Sequence, residues 1–141
     1  MRSGLAIPLL IVLLFAACSV PNLESDSCVE ARGELKKLYS LHFDRGREAD
    51  DSYRKERNRY LTEVLAQRID DSGEVDYLTQ TGDFPKAFRI GKCTETGKDT
   101  LSLGVLLFWK DAERDEQREI EASMARTADG WALEKVEKAQ E

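Results

Sequence analysis

The residues able to do chemistry in this chain are few. His42 is the only histidine, and an imidazole titrates near neutral pH, which suits a general base. Asp76, Tyr77 and Asp83 lie within one short segment. A carboxylate beside a phenol, in a pocket dry enough to tune its pKa, can abstract a proton or polarise a carbonyl. Each group also has a plainer reading. His42 falls among Tyr39 and Phe43, where a buried histidine satisfied by one hydrogen bond is the ordinary outcome. Asp and Thr side chains in an irregular segment commonly cap turns. The nucleophile elbow G-x-S-x-G is absent from the chain, and no histidine cluster or cysteine spacing offers a metal site. Asp50-Asp51 and Asp70-Asp71 lack the spaced oxygen ligands of a calcium loop and sit where helix ends and turns are expected. No cofactor is expected.

The three cysteines divide by position. Arg2 precedes an apolar run from Leu5 to Ala17, ending in Phe15-Ala16-Ala17-Cys18. A charged start, a short apolar core and small residues before a cut site make a secretory signal. The run has 13 residues, against about 20 for a membrane-spanning helix. The stretch resembles a bacterial lipobox, with Phe15 where leucine is usual. That resemblance implies cleavage after Ala17 and a lipid on Cys18, and ordinary secretion or an uncleaved anchor are the alternatives. Ser19 rather than Asp follows Cys18, which by enterobacterial sorting rules implies the outer membrane, facing the periplasm. Cys28 and Cys93 then remain as an even pair in an exported chain, which reads as a disulfide. Two buried thiols are the other reading.

Without residues 1–17, which hold one basic and no acidic residue, 124 residues remain and the net charge moves from −6 to −7. Such acidity does not suit phosphate backbones, so nucleic acid is not an expected partner. It also leaves the lipid as the expected membrane contact, with a protein or a small molecule as the unknown partner. Segment 18–26 reads as a tether, and 27–141 as one domain.

The elements that must position these groups follow from periodicity. Ser27 and Glu30 match a capping box. Ala31, Leu35, Leu38, Tyr39, His42 and Phe43 then share a helical face that ends at Gly46. A second helix is expected from Ser52 to about Ile69, with Tyr53, Arg57, Tyr60, Leu61, Val64 and Leu65 on one side. Segment 70–73 signals a turn and 74–85 is irregular. Strands are expected at 88–93, 101–109, 119–126 and 131–136. The 101–109 run is nearly all apolar, so both of its faces should be covered. Lys110–Arg118 is charged and reads as an exposed loop, while Asp129-Gly130 suits a tight turn. Trp109 and Trp131 alternate with apolar neighbours and read as core, or as pocket walls for a flat ligand.

Helices followed by antiparallel strands give an α+β order, with the helices laid on one face of a curved sheet. The chain resembles small exported bacterial proteins of the nuclear-transport-factor-2-like superfamily. Leu38-Tyr39-Ser40-Leu41-His42-Phe43, the stretch Asp76 to Pro85, and Gly130-Trp131-Ala132-Leu133-Glu134-Lys135-Val136 carry that resemblance. It implies a sheet curled into a cone around the helices, often with a pocket that serves catalysis, ligand binding or protein contact in different members. Fold alone does not choose among these. The leading expectation is a lipid-anchored envelope accessory domain that binds a partner protein or small ligand without catalysis. The alternatives are a cone-fold enzyme of the isomerase or dehydratase kind, and a periplasmic inhibitor or immunity protein.

Overall fold

The computed structural model describes residues 23–140. The expected signal segment 1–17, the expected lipidation site Cys18 and most of the expected tether lie outside the described residues. Helix α1 spans Asp26–Arg45 and buries Cys28, Ala31, Leu35, Leu38, Tyr39 and His42 along one stripe. Its cap is Ser25, whose Oγ accepts from Cys28 N at 3.2 Å, rather than the expected Ser27. The Ser27 hydroxyl instead accepts from Arg126.

The expected second helix is broken in two. Helix α2 is Asp51–Arg57, a 3₁₀ turn covers Asn58–Tyr60, and α3 is Glu63–Arg68. The break has a tertiary cause. Leu61 is extended and bridges Leu133 in parallel, and Thr62 N donates to the Leu133 carbonyl at 2.9 Å. Thr62 then restarts the helix, its Oγ1 accepting from Leu65 N.

Four antiparallel strands follow in sequential order: β1 Ala87–Glu95, β2 Thr100–Lys110, β3 Asp115–Thr127 and β4 Gly130–Lys138. The charged segment after Trp109 is largely strand. The register runs on to Lys110↔Asp115, and Asp111 closes the turn by accepting from Glu113 N and Arg114 N. Charge does not interrupt a ladder whose hydrogen bonds are all main-chain. Gly130 adopts φ +112° after the β3–β4 turn, a conformation open to glycine and costly for side chains.

Bulges between Ile90 and Cys93 in β1, and opposite Ser123–Met124 in β4, bend the sheet around the helices. Arg32 of α1 stabilises the first, donating to the carbonyls of Ile90 at 3.1 Å and Gly91 at 2.6 Å. The Cys28–Cys93 disulfide lies beside it and links α1 to β1, with S–S 2.10 Å and Cα–Cα 5.9 Å.

The result is an α+β cone whose interior is filled by side chains. Leu35, Leu38 and Tyr39 of α1 meet Leu103, Val105, Leu107, Trp109 and Leu133 of the sheet, all buried. Only one face of β2 packs against the helices. Gly104, Leu106 and Phe108 on its other face are half-buried, so the run is covered less completely than its composition suggests.

Candidate functional site

Two of the four candidate acid–base residues meet. His42, near the end of α1, is 4% exposed. Its Nε2 lies 2.8 Å from Asp76 Oδ2, and its Nδ1 lies 2.5 Å from the Tyr53 hydroxyl of α2. Nε2–H donates to the carboxylate, and Nδ1 shares a hydrogen bond with the Tyr53 hydroxyl. Asp76 Oδ2 also accepts from Thr79 N at 3.1 Å and Thr79 Oγ1 at 2.7 Å. Burial alone would raise the Asp76 pKa, but the bonds from His42 and Thr79 outweigh it and hold the carboxyl below its ordinary value. Burial pushes the Tyr53 phenol up to about 12 against the pull of Arg57, with Asp76 and Asp71 adding to the rise. A protonated phenol, the imidazole and an ionised carboxylate therefore form a short closed chain.

The main chain is shaped to hold it. Segment 76–81 is a turn in which Asp76 N donates to Thr81 O and Gln80 N to Asp76 O, with Gln80 at φ +56°. Thr81 Oγ1 donates to the Asp83 carbonyl at 3.0 Å, which also accepts from Trp109 Nε1 at 3.2 Å. At Gly46 a Cβ would collide with the His42 ring, so glycine is required there for space, its φ of −66° being open to any residue. Behind Tyr53, Arg57 is 3% exposed, stands over the phenol ring and bonds Asp71 at 2.5 Å.

The remaining candidates are elsewhere. The Tyr77 hydroxyl accepts from Val136 N at 3.2 Å and tethers the turn to β4. The Asp83 carboxylate pairs with Arg114 on the surface. Trp109 is core, its ring flanked by Arg114 and Arg118. Trp131 is buried beneath Arg126, and its Nε1 has no hydrogen-bond partner. Asp50 caps α2, and Asp70 accepts from Ser72 N and Oγ.

Tyr53, Thr79, Gly46 and the Arg57–Asp71 pair went unrecognised in the sequence as parts of this network. Tyr53 was legible only as an inward helical position, because its partner is set by how α1 and α2 pack. Among the described residues no three of His, Cys, Asp and Glu converge so as to hold a metal ion, and no helix is long and apolar enough to cross a membrane.

The hollow beside His42 and Asp76 has a volume of about 130 Å³, bounded by Gly46, Asp71, Val75, Gly82 and Phe84. That is small against the roughly 300–1,000 Å³ of ordinary ligand pockets. Larger open clefts lie between residues 79–81 and 117–120, at about 450 Å³, and between 58–66 and 127–132, at about 560 Å³.

Helices laid on a bulged four-stranded antiparallel sheet define a class of small α+β cone domains. The particular fold is NTF2-like. The NTF2-like potential transfer protein TraM of the Gram-positive conjugative plasmid pIP501 superposes with a TM-score of 0.53 at 15% identity, over 81% of this chain and 98% of that one. An NTF2-like protein involved in plasmid conjugation gives 0.52 at 9% identity, over 82% of this chain and 40% of that one. A protein of unknown function from Bacteroides thetaiotaomicron gives 0.55 at 11% identity, over 79% and 92%. At these identities the likeness is one of fold. No protein-family model matches the sequence, nor does any curated protein sequence.

Proposed function

We propose that this protein is a lipid-anchored accessory domain of the bacterial envelope, held through Cys18 at the outer membrane and facing the periplasm. There it binds a partner protein rather than catalysing a reaction. One observation carries the choice against catalysis: both nitrogens of His42 are engaged inside the fold, by Tyr53 and Asp76. A general base needs a ring nitrogen within reach of substrate, and here Nδ1 faces the Tyr53 hydroxyl and Nε2 faces Asp76. The filled cone and the small hollow beside His42 favour a protein over a small ligand held inside the cone. Two neighbours of the same fold are described as a potential transfer protein and as involved in conjugation, roles that accord with accessory binding.

Native mass spectrometry of the protein, extracted from its own envelope in mild detergent, tests the reading. A second polypeptide is the expected companion. A small molecule retained by the folded domain and released on unfolding would overturn it. The His42–Asp76 contact at the hollow favours a cone-fold enzyme as the second reading, and such a molecule would then be the first substrate to try.

A further inference from the structure

We infer, resting on the Cys18 anchor proposed above, that the domain stands upright on the bilayer, with the end of the cone bearing residues 95–99 and 126–130 turned towards the lipid. The segment between the proposed anchor and the described chain is short. Glu24 is ion-paired to Arg32 of α1, and Ser25 both caps α1 and donates to Glu95 at 2.7 Å. The chain is thus bonded to the domain at Glu24 and Ser25. From Cys18 to Leu23 there are only five peptide steps, at most about 18 Å when fully extended. The start of α1 is consequently leashed close to the headgroups.

The structure identifies what surrounds that point. Cys28 is bonded to Cys93, Arg126 donates to Ser27 Oγ at 3.2 Å, and Arg126 N donates to Asp99 O at 2.8 Å. The 96–99 and 127–130 turns thus share the leashed pole. Helix α1, of 20 residues, is about 30 Å long. At its far end lie His42, Arg45, the α2 segment, Phe84 and the 111–114 turn.

Charge opposes lying flat. At the near pole Glu24 is paired with Arg32 and Asp99 with Arg126, so most of the −7 carried beyond residue 17 lies on the rest of the body. An anionic leaflet repels such a body over roughly a Debye length, about 8–10 Å. The far pole is thereby presented to a partner. There Phe43, Phe84 and Phe88 cluster half-buried with centroids 4.9–5.2 Å apart, and Arg47 lies over Phe84.

Lysines report the orientation. Lys98 sits on the near pole, Lys36 and Lys37 on the exposed side of α1, and Lys55 and Lys110 near the far pole; all are exposed. The lipidated protein, reconstituted in vesicles of phosphatidylethanolamine and phosphatidylglycerol, is treated with a short amine-to-amine crosslinker and mapped by mass spectrometry. Lys98 should carry several-fold more lipid adduct than the other four. Inserting ten flexible Gly/Ser residues after Asn22 should erase that preference. Equal adducts at Lys36 and Lys37, or a preference untouched by the insertion, would overturn the orientation. Absence of lipid mass on Cys18 would instead overturn the anchor on which it rests.

Discussion

Asp76 Oδ2 accepts three hydrogen bonds, and this makes the site a stability element that responds to acid. Because its folded pKa lies below the ordinary value, its contribution is fully present above the unfolded carboxylate's pKa of about 3.9. The contribution is lost as the pH falls through the folded value. Asp76→Asn should therefore destabilise the domain at neutral pH by about 1–3 kcal/mol. It should also flatten the acid limb of a plot of melting temperature against pH between about 2 and 5. An unchanged acid limb would mean that another carboxylate governs it. Gly46 is the second test at this scale. Gly46→Ala places a methyl group where the His42 ring lies, so it should cost about 1–3 kcal/mol, as overpacking does. The His42 ring resonances in NMR spectra should shift as Nδ1 leaves Tyr53, and unmoved resonances would refute the steric argument. At this scale the sequence showed which residues were chemically capable. It did not show that Tyr53, eleven residues from His42, completes the network, because that contact exists only when α1 and α2 pack.

Among the elements, α1 is the organising one, since its buried stripe packs against both β1 and β4. Its stripe was readable from three- and four-residue spacing because one helix covers one face. Gly33 interrupts the helix interior, and the space where its Cβ would stand is open. Gly33→Ala should accordingly raise stability by about 0.5–1 kcal/mol, measured by urea unfolding. A loss would indicate that the helix approaches something closely at that point. The disulfide offers a larger effect. It closes a loop of 65 residues, for which chain entropy gives about 4 kcal/mol. Cys93→Ser should lower stability by up to that amount, and denaturation midpoints with and without reductant should differ in the wild type alone. The break between α2 and α3 was illegible for a definite reason. The apolar spacing from Tyr53 to Leu65 suits a continuous helix, and only the edge of β4 supplies the carbonyl that draws Thr62 out of it. Likewise β3 begins at Asp115 because the ladder to β2 continues there, although the side chains are charged.

For the whole molecule, the proposed function turns on location as much as on chemistry. If Cys18 carries the lipid, as proposed, Cys18→Ala should move the protein from the detergent phase to the aqueous phase and remove the lipid mass. Unchanged partition would defeat the anchor. The α+β class and the order of helices before strands were determined by the sequence itself, whereas the choice between a disulfide and two thiols at Cys28 and Cys93 fell to the structure. Hydrophobic periodicity and turn residues are local signals that survive without coordinates. What only the tertiary structure decided is the meaning of the polar residues. Asp76 and Asp83 lie seven positions apart in equivalent-looking surroundings, yet one is half-buried under His42 and the other pairs with Arg114 at the surface. Their fates depend on which elements cross above the 76–85 segment, a matter of long-range packing. Whether the cone is hollow was likewise settled by the joint volume of Leu35, Tyr39, Leu107 and Trp109 against the curvature imposed by two bulges. No local pattern along the chain encodes that sum.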